Sequence, residues 1–237
     1  MTAAASIIQV RQLFKSYETE AGKIHILKGI TMQIQPGEVV SIMGPSGSGK
    51  STLLGILGTL DQPTDGRILF EKKDVTSLSE TELAGYRAHK IGFVFQSYNL
   101  ISTMSALENV MLPMISVKGR SRRQMQQRAK ELLSLVGMRD RINHLSSQLS
   151  GGQQQRVAIA RAIANDPMVV IADEPTGNLD QKTGAMILDL IFSLRNKLNM
   201  SFILATHDPN VAGLSDRVIH LSDGKIVEEH VNQPKGE

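Results

Sequence analysis

The sequence predicts an α/β fold interrupted by a helical insertion, and three observations carry that prediction. A short apolar strand, "VVSIM" (39–43), runs directly into a glycine-rich turn and a helix, "GPSGSGKSTLLGILGTL" (44–60), which is the opening of a βα unit. A second apolar strand, "MVVIAD" (168–173), leads to the helical pattern "KTGAMILDLIFSLRNKL" (182–198) and then to the strand "SFILATH" (201–207). Between these blocks, from about Ser105 to Ile163, there is no strong strand and the pattern is helical.

Each element has its own signal. At the amino-terminal end, "IIQVRQLF" (7–14) and "ILKGITMQI" (26–34) are rich in β-branched residues and partly alternate, and "QPGE" (35–38) marks a turn. "GRILF" (66–70) and "IGFVFQ" (91–96) read as two further strands. "SALENVMLPMI" (105–115) opens with a Ser-x-x-Glu capping box at Ser105 and Glu108. "SRRQMQQRAKELLSLVG" (121–137) stops at Gly137, with Met125, Leu132 and Leu133 expected to face inward. Its basic run, "KGRSRRQMQQRAK", reads as the solvated face of that amphipathic helix in preference to a nucleic-acid or headgroup site. A helix follows in "QLSGGQQQRVAIARAI" (148–163), and short strands "RVIHL" (217–221) and "KIVEE" (225–229) come last.

Composition bounds the function. A chain of 237 residues makes one large domain or two small ones. A net charge of +3 is too small to argue for nucleic acid. With no cysteine, a disulfide framework, a thiolate metal site and a thiol nucleophile are all excluded. The stretch "MTAAASIIQVRQL" lacks a basic region followed by a long apolar run, so no secretory signal is expected. No apolar stretch approaches the ~18 residues needed to span a bilayer. The expectation is a soluble chain, or one that meets a membrane only through a partner.

Chemistry concentrates at the strand ends. "GPSGSGKS" matches G-x-x-x-x-G-K-[ST] after a strand and at a helix start. Backbone N–H groups of Gly44, Pro45's neighbours Ser46 and Gly47, Ser48 and Gly49 can wrap a phosphate chain, and the helix dipole adds to the attraction. Lys50 can reach the β- and γ-phosphates, and the Ser51 hydroxyl can ligate Mg²⁺, with Thr52 next in line. This is a strong signal for a nucleoside triphosphate. In "VVIADEP" (169–175), Asp173 and Glu174 stand at the end of an apolar strand, where open α/β sheets bind ligands. Asp173 would hold Mg²⁺ and Glu174 would polarise the attacking water.

Three residues stay open when read alone. His207 follows a strand and can meet a γ-phosphate or serve structure; Gln96 can be a site residue or an ordinary strand-end amide. Tyr17 can stack on a base or pack. The stretch Ser150-Gly151-Gly152 is equally open. A glycine-rich helix entrance suits an anion, and serine is also a plain N-cap.

Taken together and in order, "GPSGSGKS", Gln96, "LSGGQ" (149–153), "VVIADE", "NLD" (178–180) and His207 resemble the ATP-binding subunit of an ABC transporter, from Ile7 to about Glu229. The resemblance implies a P-loop NTPase of ABC type: a mixed sheet core with an N-terminal antiparallel β subdomain and an inserted helical subdomain. It implies one ABC ATPase domain over 1–237, with 1–97 and 165–237 as the nucleotide-binding core and 98–164 as the helical subdomain carrying the signature. It implies that two copies close head to tail on ATP, so that Ser150, Gly151, Gly152 and Gln153 of one meet the γ-phosphate held by the other. Tyr17 and Asp180 join the nucleotide contacts, Ser51, Gln96 and Asp173 the Mg²⁺ contacts, and Glu174, His207, Gln96 and Lys50 the hydrolysis of ATP to ADP and phosphate.

Longer stretches, "SIMGPSGSGKSTLL", "IGFVFQSYNLI", "ALENVMLP", "QLSGGQQQRVAIARAIANDP" and "ADEPTGNLD", are similar to the MacB/LolD branch, which includes macrolide exporters and lipoprotein-releasing ATPases. "GNLD" departs from the commoner family form but is usual in that branch. The implied partners are a second copy, an integral permease and a periplasmic adaptor, at the cytoplasmic face of the inner membrane. Tyr98, Leu100, Ile101 and Met104 form an expected exposed apolar patch for the permease. An SMC/Rad50-like DNA-maintenance ATPase would need a long coiled coil between Lys50 and Asp173, and no sustained heptads occur there. A translation-type module would carry two ATPase halves, and a soluble P-loop kinase would not need "LSGGQ".

Overall fold

The structure is a computed structural model that describes residues 6–20 and 22–232. The first five residues of the stretch read for a secretory signal lie outside them. The chain forms two compact units, one built from the chain up to Leu83 together with the chain from Asn199 onward, the other from Ala84–Leu198.

The first unit begins with β1 (Ile8–Thr19), β2 (Gly22–Ile34), β3 (Val39–Met43), α1 (Lys50–Leu57), β4 (Asp65–Phe70) and β5 (Lys73–Asp74). Helix α2 (Glu80–Lys90) carries the chain onward into β6 (Ile91–Val94), α3 (Ala106–Met111), α4 (Arg122–Leu135), α5 (Gly151–Ala162), β7 (Val169–Asp173) and α6 (Gln181–Leu198). The chain returns to the first unit as β8 (Ser201–Thr206), α7 (Pro209–Ala212), β9 (Arg217–Ser222) and β10 (Lys225–Val231).

In the first unit, β2, β1, β4 and β5 pair antiparallel in that spatial order. The alternation in β1 buries Ile8, Val10 and Leu13 against Leu27, Ile30, Met32 and Ile34 of β2. Both strands run beyond the apolar stretches that announce them. Their polar ends pair at Ser16 with His25 and at Thr19 with Gly22, and a 2.8 Å contact joins Ser16 Oγ to His25 Nδ1. A second ladder is mixed: β3 lies parallel to β8 and β9, and β10 closes antiparallel on β9. Val39, Val40 and Ile42 and the whole of Phe202–Ala205 are buried, the near-continuous apolar runs that parallel strands covered on both faces require. Each Val, Ile, Leu or Phe side chain among them contributes roughly 1.5–3 kcal/mol of burial.

In the second unit, β6 lies parallel to β7, from Ile91 opposite Val169 to Val94 opposite Ala172. Three helices there open with complete capping boxes, at Ser105/Glu108, Ser121/Gln124 and Ser150/Gln153. On α4 the core side is Ala129, Leu132 and Leu133, whereas Met125 is only half-buried, because it lies in the first turn. The basic run is more than a solvated face. Arg128 pairs with Asp166, and Arg120 Nη1 donates to Ala164 O (3.3 Å) and Asn165 Oδ1 (3.1 Å), fastening α4 to the chain beyond α5. Among the described residues no helix is long and apolar enough to cross a membrane.

Candidate functional site

In the first unit the turn 44–49 joins β3 to α1. Gly44 has no room for a side chain: a Cβ there would stand 2.1 Å from the carbonyl oxygen of Leu221. The Lys50 ammonium is folded back into the loop, donating to Gly44 O (2.7 Å) and Pro45 O (2.9 Å), and the residue is 9% exposed. Ser48 is 3% exposed and its Oγ has no hydrogen-bond partner, while Pro45, Ser46, Gly47 and Ser51 line the open side. No acidic residue occupies the first turn of α1, so no carboxylate there offsets the helix's positive end beside the Lys50 ammonium.

The parallel register sets Met43 opposite Thr206, so His207, exposed one residue beyond β8, leaves the ladder at the same edge as the loop. Tyr17 sits near the end of β1 and is 42% exposed. Its hydroxyl donates to Asp61 Oδ2 (2.7 Å), and the Lys15 ammonium lies 4.7 Å from its ring centre and 2.6 Å from Asp61 Oδ1. The bond to Asp61 holds the phenol above its ordinary range. Burial pushes the Asp61 carboxyl up, but hydrogen bonds from Lys15 and Tyr17 outweigh it and the group ends below the usual range. Tyr17 also meets Thr52, the residue two past Lys50.

The second unit gathers the acids. Because Val94 and Ala172 are register partners, Gln96 and Asp173–Glu174 emerge at one edge of the β6–β7 pair. Gln96 and Glu174 converge over Gly177. A Cβ built there would lie 2.9 Å from Gln96 Nε2 and 3.1 Å from Glu174 Oε2. Asn178 Nδ2 donates to Gln96 O at 2.9 Å, and Gly177 N donates to Glu174 O at 3.0 Å. Glu174 holds φ of 45°, a left-handed backbone that is uncommon for a non-glycine residue and concentrates at functional sites. Asp180 is exposed and its carboxylate caps α6, accepting from Thr183 N (3.0 Å) and Thr183 Oγ1 (2.6 Å), which holds its pKa low.

At the entrance of α5 the serine is an N-cap. Ser150 Oγ accepts from Gln153 N at 3.4 Å, and Gln153 Oε1 accepts from Ser150 N at 3.0 Å. The two glycines are where neighbours come closest. A Cβ on Gly152 would stand 2.5 Å from Thr183 Cγ2, and one on Gly151 would stand 2.8 Å from Tyr98 Oη. The glycines bring no side chain of their own to the entrance, and Thr183 and Tyr98 pack against it in the space a Cβ would take.

The expected apolar patch is mostly covered. Ile101 is 37% exposed, but Tyr98, Leu100 and Met104 are half-buried, because the loop folds back toward α3 and α5. Sequence reasoning missed Gly177, Asn109, Arg161 and Gln155. Asn109 and Gln155 are fully buried amides, and a polar residue on an otherwise apolar helix face is the signal that could have found them. Among the described residues no group of three or more His, Asp or Glu is arranged to hold a metal ion.

The family model described as ABC transporter matches residues 27–177, which span the phosphate loop, Gln96, the α5 entrance and Asp173–Gly177. This chain belongs to the ABC transporter family. The cassette is 46% identical over 221 residues to the lipoprotein-releasing system ATP-binding protein LolD of Syntrophus aciditrophicus, covering 93% of this chain and 99% of the relative. It is 47% identical to the macrolide export ATP-binding/permease protein MacB of Rhodopirellula baltica, covering 94% of this chain and 33% of the relative. Among solved structures it is similar to a dimeric post-hydrolysis state of the ATP-binding cassette MJ0796 bound to ADP and Pi. The TM-score is 0.88 at 43% identity, with 96% of this chain and 99% of that chain covered. These likenesses support the MacB/LolD branch, the ABC fold and ATPase activity, and they set aside the DNA-maintenance and kinase readings.

Proposed function

We propose that this ABC ATPase works as a head-to-tail pair that closes on ATP and drives a separate integral permease. The observation that carries the reading is the convergence of Gln96 and Glu174 over Gly177, beside Asp173 at the end of β7. In this reading Glu174 accepts the proton of the attacking water, and Gln96 and His207 orient that water and the γ-phosphate. Lys50, already stripped of most of its hydration, exchanges loop carbonyls for phosphate oxygens. The backbone of 44–49 with Ser51 and Thr52 cradles the phosphates, and Ser48 Oγ is a buried hydroxyl still wanting a partner. Tyr17, anchored by Asp61, offers its exposed ring to the base. Ser150, Gly151, Gly152 and Gln153, with Asp180, act on the nucleotide held by the other copy.

In this reading Ser51, Gln96 and Asp173 would each offer Mg²⁺ an oxygen, the donor that cation takes, and it would keep water and substrate phosphates as its other ligands. Mg²⁺ held there would neutralise charge on the departing phosphate. We take 1–237 as one ABC ATPase domain, with 98–164 as its helical subdomain, docked on the permease around Ile101 at the cytoplasmic face of the inner membrane. A periplasmic adaptor would belong to the same assembly. The test is phosphate release by the purified chain. Glu174→Gln is expected to slow turnover at least 100-fold while ATP still binds, and near-normal turnover would remove Glu174 from this role.

A further inference from the structure

The chain leaves Gln96 through the loop 97–105, in which Tyr98 and Asn99 both adopt left-handed backbone, with φ of 60° and 49°. Two side chains from different helices hold this loop. At its near end Arg161 of α5 donates to Tyr98 O at 2.8 Å and to Asn99 O at 2.6 Å. At its far end Asn109 of α3, which is 0% exposed, accepts from Ile101 N at 2.8 Å. Asn109 Nδ2 lies 3.1 Å from Ile101 O, 3.3 Å from Met104 O, 3.1 Å from Ser105 O and 3.0 Å from Ser146 Oγ.

One carboxamide therefore serves two separate stretches of chain. Ser146 begins the turn that delivers Leu149 and Ser150 to the entrance of α5. The backbone strengthens the same link: Ser146 N donates to Met104 O (3.1 Å), Ala106 N to His144 O (2.9 Å) and Leu107 N to Ile142 O (2.9 Å). The segment behind Gln96 and the segment ahead of Ser150 are zipped together above a buried amide.

We propose that Asn109 and Arg161 are positioning residues that make the exit loop of Gln96 and the Ser150–Gly152 entrance one mechanical piece. The proposal rests on the reading of those elements as parts of the ATP sandwich. The residue types are the ones the places demand. Alanine at 109 would take the acceptor from Ile101 N and the side-chain donor from the carbonyls of Ile101, Met104 and Ser105, each of which keeps a backbone donor, and aspartate would turn a carboxylate toward those carbonyls. Lysine at 161 keeps the charge but loses the planar fork that reaches two adjacent carbonyls.

The experiment is amide hydrogen exchange on the full chain carrying Asn109→Ala or Arg161→Lys. It is paired with single-nucleotide binding and with ATP-dependent dimerisation in a Glu174→Gln background. Asn109→Ala is expected to speed exchange at least tenfold on both sides of the amide, at Ile101 and at Ser146, while β3 and α1 keep their protection. Nucleotide binding should hold, and dimerisation should weaken about tenfold in both variants. Acceleration confined to 97–105, or nucleotide binding lost in step with dimerisation, would overturn the proposal. If Asn109→Ala does not fold, Ser146→Ala removes one acceptor and carries the same test with about threefold acceleration expected on both sides. Should the sandwich reading itself be wrong, Glu174→Gln alone would not dimerise, whereas the exchange pattern would still report the clamp.

Discussion

Gly177→Ala is a small change with a large expected consequence. The position is half-way along the turn between β7 and α6, and its backbone is not left-handed, so alanine is conformationally permitted. The added methyl would meet Gln96 Nε2 at 2.9 Å and Glu174 Oε2 at 3.1 Å, closer than ordinary contact. Both neighbours are ends of flexible side chains, so they can yield, by about 0.5 Å for the amide and about 0.3 Å for the carboxylate. A misplacement of 1 Å at a reacting centre costs on the order of 100-fold, so a shift of roughly half that size predicts about tenfold, or ~1.4 kcal/mol of transition-state stabilisation. Global stability should change by less than about 1 kcal/mol, because a glycine-to-alanine change also restricts the unfolded chain. The assay is steady-state phosphate release against ATP concentration, with nucleotide affinity and thermal melting measured in parallel. A tenfold fall in kcat with unchanged nucleotide affinity and melting is expected. Unchanged kcat would mean that the convergence of Gln96 and Glu174 does not serve hydrolysis.

Further outcomes follow from other contacts. Lys50→Ala removes the ammonium that donates to Gly44 O and Pro45 O and should weaken ATP binding at least tenfold by titration with a fluorescent nucleotide. Gly151→Asp places an anion at the entrance of α5 and also presses on Tyr98 Oη, so it is best compared with Gly151→Ala. Both should bind single nucleotides normally, and only the aspartate should abolish ATP-dependent dimerisation in sedimentation. The Asp61 carboxyl is held low in the folded state, so its contribution is present near neutral pH and is lost as pH falls below about 4. Asp61→Asn should accordingly flatten the acid limb of melting temperature against pH. Ile101→Asp, at the exposed apolar member of the 98–104 stretch, should impair co-purification with a permease while leaving ATP binding intact.

Much of this was legible in the sequence because the signals were local. The phosphate loop is a contiguous motif, the parallel strands β3 and β8 are near-continuous apolar runs, and the box at Ser105 formed as its spacing required. Helix α2 was missed although Ser79 and Glu82 make the same kind of box, with Ser79 N donating to Glu82 Oε2 at 2.9 Å. It buries only Leu83, so it has no apolar periodicity to announce it. The glycines of the α5 entrance were read for what they admit, and the structure adds what they avoid, namely Thr183 and Tyr98. Gly177, Arg161 and Asn109 escaped because their roles depend on partners far along the chain. No spacing rule connects residue 109 with 146 or 161 with 98.

The central claim is that the α5 entrance of one copy completes the phosphate site of another, and sedimentation velocity of the Glu174→Gln chain tests it most directly. With ATP and Mg²⁺ the account predicts conversion of monomer to a two-copy species, no conversion with ADP, and loss of the ATP-dependent species when Gly151→Asp is added. A chain that stays monomeric with ATP, or pairs equally well with no nucleotide or with Gly151→Asp present, would contradict it.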